Sequence, residues 1–337
     1  MRVAIVCPFP TGSRLGNRVT AVRWRRILAD LGHDARVLTG IPRVGYDVLV
    51  ALHARRTADA VRWSRATHPD RPIVVALTGT DLYRDIRVDL EARRSLKHAD
   101  RLLVLHDRAA DELPAAVRHK VRLVRQSADP APPPRAKKRS RPGARSHFDV
   151  AFVAHLRPEK DPLRAAEAAR LLPPTSRIRI LHAGRALDDA LRRAAEREER
   201  ANPRYRWLGE LAPAAARRLI ASSRLMVLTS RMEGGANVLG EAIVSGTPVL
   251  ASRIPAALSA LGDDYPGLFE PGDGGALAML LQRAESDARF RVRLERAVRA
   301  RRRLFAPAAE RAAWRSLLAE LTSPTSLRGP RRSRAPT

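Results

Sequence analysis

Cysteine is nearly missing from this chain. Cys7 is the only one in 337 residues, which excludes an internal disulfide and any cysteine-built metal site. Aromatic residues make up 4%, too few for the stacking platforms that single-stranded nucleic acid uses. No apolar run approaches the ~20 residues of a membrane span. The N-terminal Val3-Ala4-Ile5-Val6 stops short of Pro8, too brief for a signal-peptide core and better read as a first strand. A soluble, cytoplasmic protein without membrane insertion is expected.

Acidic residues are outnumbered: 63 Lys and Arg face 35 Asp and Glu, a net charge of +28. Lysine itself is scarce, confined to Lys97, Lys120, Lys137, Lys138 and Lys160. Such a charge raises nucleic acid as a partner. Its distribution argues otherwise, because the arginines are scattered beside alanines in helical stretches, as at Arg192, Arg193, Arg197 and Arg200. Arg and Ala are both good helix formers, so compositional bias accounts for much of the excess. Attraction of an anionic ligand is the functional alternative, and specific nucleic-acid binding is not expected.

The chain reads as α/β. Short apolar runs alternate with longer amphipathic ones, the pattern of parallel sheets wrapped by helices. In the first half, strands are expected at Val3–Val6, Ala35–Leu38, Val48–Leu52, Ile73–Leu77, Leu102–Leu105 and Val121–Val124. Asn17 is placed to cap a helix reaching about Leu31 and ended by Gly32. Residues 126–147, with Pro130-Ala131-Pro132-Pro133-Pro134 and the basic run from Arg135 to Arg145, read as an exposed linker. A second series follows at Phe148–Ala154, Ile178–His182, Arg204–Leu208, Leu225–Leu228 and Pro248–Ala251. Asp287–Phe305 and Pro307–Leu321 read as helical, and residues 322–337 as a disordered tail. Two Rossmann-like domains facing a cleft are expected: residues 1–125, and 148–305 after the linker. Ligands in such sheets sit at the carboxyl ends of strands.

The densest chemistry lies in Ser230-Arg231-Met232-Glu233-Gly234-Gly235-Ala236-Asn237-Val238-Leu239-Gly240-Glu241, followed by Ser245-Gly246-Thr247-Pro248-Val249. Two carboxylates flank a Gly pair and a helix start, where backbone N–H groups can hold a phosphate. Glu233 is placed for the hydroxyls of a donor sugar. The amides around Gly234, Gly235, Asn237, Val238 and Leu239 are placed for a diphosphate, and Glu241 for the ribose diol, whose two hydroxyls suit the paired oxygens of a carboxylate. The alternative is a helix-capping Glu233 and a solvated Glu241. A second segment, His155-Leu156-Arg157-Pro158-Glu159-Lys160-Asp161, follows a strand. Its Lys160 and Arg157 bring positive charge to a strand end, or Lys160 could pair with Glu159 or Asp161. The loop near Trp207, Leu208 and Gly209 is a candidate base pocket.

In the first half, Pro10-Thr11-Gly12-Ser13-Arg14-Leu15-Gly16-Asn17-Arg18 joins a strand to a helix. It is neither a Walker loop nor a Gly-x-Gly-x-x-Gly fingerprint, so a plain loop stands beside one whose glycines and helix start approach an anionic ligand. Two further strand ends carry His53, Arg55 and Arg56, and Thr78, Gly79, Thr80 and Asp81. Guanidinium forks match phosphate-like oxyanions, so a small dianionic acceptor suits this cluster. A buried, satisfied His53, a solvated start of helix at the arginines and a capping Asp81 are the structural alternatives. Asp188-Asp189 and Asp263-Asp264 do not suggest a metal site, and no cofactor is expected.

The Glu-x7-Glu spacing resembles that of retaining-type, two-domain glycosyltransferases of GT-B architecture, the family-4-like group. The 155–161 segment is similar to that group's Gly-Arg-Leu-x-x-x-Lys-Gly loop, with Lys160 matching the Lys, His155 at the Arg position and Asp161 in place of the Gly, which implies that Lys160, with Arg157 supplying the missing charge, neutralises a leaving diphosphate. A Gly-rich first-domain loop in the group faces the donor phosphate and acceptor, which implies this role for Gly12, Gly16, Asn17 and Arg18. The resemblance further implies that residues 306–321 form a last helix crossing back to the first domain. Gly16-Asn17-Arg18-Val19-Thr20-Ala21-Val22-Arg23-Trp24, Ala51-Leu52-His53-Ala54-Arg55-Arg56, Ala76-Leu77-Thr78-Gly79-Thr80-Asp81-Leu82-Tyr83-Arg84-Asp85 and Ala154–Asp161 resemble the selenosugar synthases of selenoneine biosynthesis. That implies a UDP-sugar donor (UDP-N-acetylglucosamine or UDP-glucose), a selenophosphate acceptor, and work alongside other enzymes of that pathway. Transfer to a hydroxyl acceptor, and a non-catalytic basic nucleic-acid binder, are the competing expectations.

Overall fold

The computed structural model describes residues 1–13, 15–131 and 147–322. The chain divides into two units: Met1–Arg125 together with the chain from Ala308, and Gln126–Pro307. The basic stretch 135–145 and the tail beyond Thr322 lie outside the described residues.

The first unit is built on a six-stranded sheet in the order β2-β1-β3-β4-β5-β6. Its strands are β1 (Arg2–Val6), β2 (Asp34–Leu38), β3 (Val48–Leu52), β4 (Ile73–Ala76), β5 (Arg101–Val104) and β6 (Val121–Leu123), all parallel. β3 and β4 are continuous apolar runs because helices cover both faces of the sheet. The final helix, Pro307–Thr322, belongs to this unit's core: Trp314, Leu317, Leu318 and Leu321 pack with Val3, Ile5, Trp24 and Leu28. Trp24 and Trp314 meet edge-on at 5.0 Å, and the Trp24 indole donates to the buried Glu310 at 2.9 Å. Hydrogen bonds from Arg122 and Arg101 hold the Glu320 carboxyl down to about 2.

The second unit carries a six-stranded parallel sheet in the order β12-β11-β10-β7-β8-β9. Its strands are β7 (Phe148–Val153), β8 (Ile178–Ala183), β9 (Tyr205–Trp207), β10 (Leu225–Leu228), β11 (Val249–Ser252) and β12 (Leu268–Phe269). β7 and β8 converge so closely that a Cβ on Gly184 would stand 1.7 Å from the carbonyl oxygen of Ala154. His182 is buried at the end of β8, where Nδ1 lies 2.6 Å from the Tyr205 hydroxyl and Nε2 lies 2.9 Å from the Ala154 carbonyl. The carbonyl can only accept, so Nε2 carries the proton and Tyr205 donates to Nδ1.

Several expectations are corrected. Asn17 does not cap its helix: the helix is Gly16–Asp30, Leu15 precedes it, and no side chain caps it. The 287–305 stretch is a helix at Ala288–Ala300 followed by a separate 3-10 turn at Arg302–Phe305. β12 was not expected, since two residues give no readable alternation. The linker does not start exposed: Gln126, Ser127 and Ala128 are buried, and the Ala128 amide donates to the Phe305 carbonyl at 3.1 Å.

Candidate active site

In the second sheet the chain moves outward from β7 toward β8 and β9, and outward from β10 toward β11 and β12. β7 and β10 are neighbours, so the strand order reverses between them. The loops leaving two such strands diverge and open a crevice at their carboxyl ends. These are the loops that carry His155–Asp161 and Thr229–Ala236.

The structure joins Lys160 to Glu233: the ammonium donates to Oε1, which also accepts from the Ser230 hydroxyl at 2.7 Å. Thr229 Oγ1 donates to the carbonyls of Lys160 at 2.8 Å and Asp161 at 3.0 Å. The Arg231 amide donates to the Glu159 carbonyl at 2.9 Å. Asp161 adopts a left-handed conformation, φ 44°, which Asp tolerates better than most residues. This explains how the loop keeps its turn without the glycine of the resembling group. Arg157 is half-exposed with its Nε buried, 3.9 Å from Glu159.

Glu233 does not cap the following helix. Ala236 does, in a left-handed conformation with φ 44° and without a side-chain hydrogen bond to the helix Asn237–Ser245. Gly234, Gly235, Asn237 and Val238 surround that helix start, and Glu241 is half-buried one turn along. Leu239 is a correction, because its amide donates to the Ala236 carbonyl at 2.8 Å and opens the helix. His155 is tied back into the loop after β8, where its Nδ1 accepts from the Arg185 amide at 3.1 Å. Gly209, at φ 65°, accepts at its carbonyl from the Gly184 amide at 2.8 Å. Both residues thus border the carboxyl edge of this sheet.

In the first unit the strand order reverses between β1 and β3. Gly12 turns the loop after β1 at φ 86°, whereas Gly16 and Asn17 lie inside the helix Gly16–Asp30. Arg18 is buried and donates to Thr11 Oγ1 at 3.1 Å. His53 follows β3 in a left-handed conformation, φ 84°, which is uncommon for a residue other than glycine. Its Nδ1 accepts from the Arg56 amide at 3.3 Å, so the proton sits on Nε2, which is 3.1 Å from Thr80 Oγ1 and 3.7 Å from Asp85. Burial lowers the His53 pKa below the usual histidine value, favouring this neutral donor. Arg56 lies over the Phe9 ring. Arg55 is engaged by Asp89 at 3.1 Å and faces Asp85 at 3.9 Å, so its charge is largely matched locally.

Asp81 is the main correction here. It is fully buried, and its oxygens accept from the amides of Ala54 at 3.0 Å, Thr78 at 2.9 Å and Gly79 at 2.8 Å. It pins the ends of β3 and β4 together and has no edge left for a ligand. Asp81→Ala leaves one buried and two partly buried amide donors without their acceptor, and a loss of about 2–3 kcal/mol in stability is expected by urea unfolding.

Three further polar residues, given no individual role from the sequence, stand near these strand ends. Asp85 and Tyr83 sit on a π-helical turn, Asp81–Asp85, a rare geometry often found at functional sites. Buried His106, just beyond β5, lies 2.9 Å from the Tyr83 hydroxyl. The strand-end rule that found His53 could have found His106. Among the described residues, no group of three or more His, Cys, Asp or Glu could hold a metal ion. No helix among them is long and apolar enough to cross a membrane.

Residues 135–301 match the family Glycosyl transferases group 1. No curated protein sequence is significantly similar to the chain. Among solved structures, HepE from Anabaena in complex with UDP and glucose is 17% identical with a TM-score of 0.73, covering 95% of this chain and 99% of its own. Sucrose-phosphate synthase from Thermosynechococcus elongatus is 16% identical with a TM-score of 0.76, covering 95% and 98%. A UDP-forming α,α-trehalose-phosphate synthase from Burkholderia vietnamiensis is 16% identical with a TM-score of 0.66, covering 91% and 79%. These likenesses establish the fold, two Rossmann-like units of the GT-B class.

Proposed function

We propose that this chain, which carries a Glycosyl transferases group 1 domain on a GT-B fold, transfers a sugar from a UDP-sugar donor to selenophosphate. UDP-N-acetylglucosamine and UDP-glucose are the proposed donors. The observation that carries the reading is the meeting of Lys160 and Glu233 at the reversal point of the second sheet, beside the start of the helix bearing Glu241. Glu241 takes the ribose hydroxyls, the amides near Gly234, Gly235, Asn237 and Val238 take the diphosphate, and Glu233 takes the sugar. Lys160, aided by Arg157, stabilises negative charge as the diphosphate departs. UDP-containing structures of HepE, a protein of the same fold, support a uridine nucleotide.

In the reaction a selenium lone pair forms the bond to the sugar's anomeric carbon. The carbon–oxygen bond to UDP breaks, and its electron pair leaves on the diphosphate. Water then takes the phosphoryl group from selenium, giving a 1-seleno-sugar, UDP and phosphate. Arg18, Arg56 and neutral His53 in the first unit are the proposed acceptor contacts, with Gly12 and Thr78 beside them. The local matching of Arg55 by Asp89 and Asp85 favours, as a second reading, an uncharged hydroxyl acceptor.

The test is incubation with each UDP-sugar and selenophosphate, thiophosphate, phosphate or a sugar alcohol, followed by UDP quantitation and product mass. A selenium-containing sugar supports the first reading and a glycoside the second. Steeply salt-dependent nucleic-acid binding without UDP release would overturn both. Glu241→Ala is expected to raise the donor KM about tenfold or more, measured by steady-state UDP release. His53→Ala is expected to raise the selenophosphate KM.

A further inference from the structure

Lys160 and Glu233, assigned to different parts of one donor, are bonded to each other. The pair is largely buried and held from behind. Ser230, 1% exposed, donates to the same Glu233 oxygen, and its own carbonyl accepts from Ser252 Oγ at 2.6 Å. Thr229 fixes the Lys160 backbone. The surrounding charges are matched separately: Arg164 and Arg231 face Asp161, and Arg157 faces Glu159. Lys160 and Glu233 therefore answer mainly to one another.

We propose that this pair sets specificity, making the site prefer an intact sugar nucleotide over the nucleoside diphosphate it yields. The inference rests on the donor reading above. A diphosphate arriving at Lys160 competes with Glu233 for one cation and meets the carboxylate as a like charge. A sugar nucleotide relieves this conflict, because its sugar hydroxyls donate to Glu233 in place of the ammonium. UDP brings no such donor, and its terminal phosphate, with a second pKa of about 6, adds negative charge at neutral pH. Glu233 then opposes retention of the product, and UDP leaves.

Calorimetric titration of UDP and UDP-glucose into wild type, Glu233→Gln and Ser230→Ala tests this. Glu233→Gln keeps the shape and removes the charge. It is expected to bind UDP about tenfold tighter than wild type, a ~1.4 kcal/mol gain, and UDP-glucose more weakly. Ser230→Ala releases the anchor and is expected to shift UDP affinity the same way by a smaller factor. Folded variants that bind UDP no tighter than wild type overturn the inference and leave the donor reading standing. Wild type that binds neither nucleotide overturns both.

Discussion

Lys160→Ala is expected to lower kcat by about 10²–10³, with a smaller change in donor KM. The asymmetry follows from where charge develops. In the proposed reaction the diphosphate gains negative charge as its bond to the sugar breaks. A cation fixed at that position acts chiefly on the transition state. The substitution also leaves Glu233 buried without its cation, with only Ser230 to donate to that oxygen. A fall in thermal stability is therefore expected beside the kinetic loss. Lys160→Arg is expected to recover part of the rate, since it restores charge in a different shape. Single-turnover kinetics with saturating UDP-sugar separate the two effects. A Lys160→Ala enzyme with wild-type kcat would remove Lys160 from the reaction.

Acid lability is the second large effect. Burial pushes the imidazoles of His106 and His182 down to about 4. Unfolded, each titrates near the ordinary value of about 6.5. Between those values the unfolded chain binds more protons than the folded one, so stability rises with pH across the window. The contribution is fully present above about pH 6.5 and falls away as pH drops toward 4, by roughly 3 kcal/mol for each histidine. Urea unfolding from pH 7.5 to 4 measures this slope. His182→Asn, which takes up no proton, is expected to show a shallower fall over the same window. An unchanged slope in that variant would remove His182 from the account. The two groups sit in different units, His182 against Tyr205 and His106 against Tyr83, so both units are expected to lose stability together.

Much of the fold was legible because parallel strands buried on both faces are short apolar runs. β3 and β10 were placed with their observed bounds, Val48–Leu52 and Leu225–Leu228. The site loops were legible for a related reason: Lys160 and Glu233 each stand just past such a run, with turn residues around them. Helix starts were less legible. Asn17 carries the right side chain for a cap, yet the helix begins at Gly16. Asp81 shows the same limit at the site, since an acidic residue past a strand suits a ligand or a cap. Its neighbours across the sheet made it a clasp for Ala54, Thr78 and Gly79 instead.

The sequence by itself determined the alternation of strands and helices, the two α/β series, and which residues stand at strand ends, because those depend on patterns within a few residues. Tertiary structure alone decided that Lys160 and Glu233, 73 positions apart, meet as donor and acceptor of one hydrogen bond. It also decided that the last helix packs with β1 and Trp24. Strand order and helix docking arise from which apolar faces cover one another, and a local periodicity states that a face must be buried without stating against what.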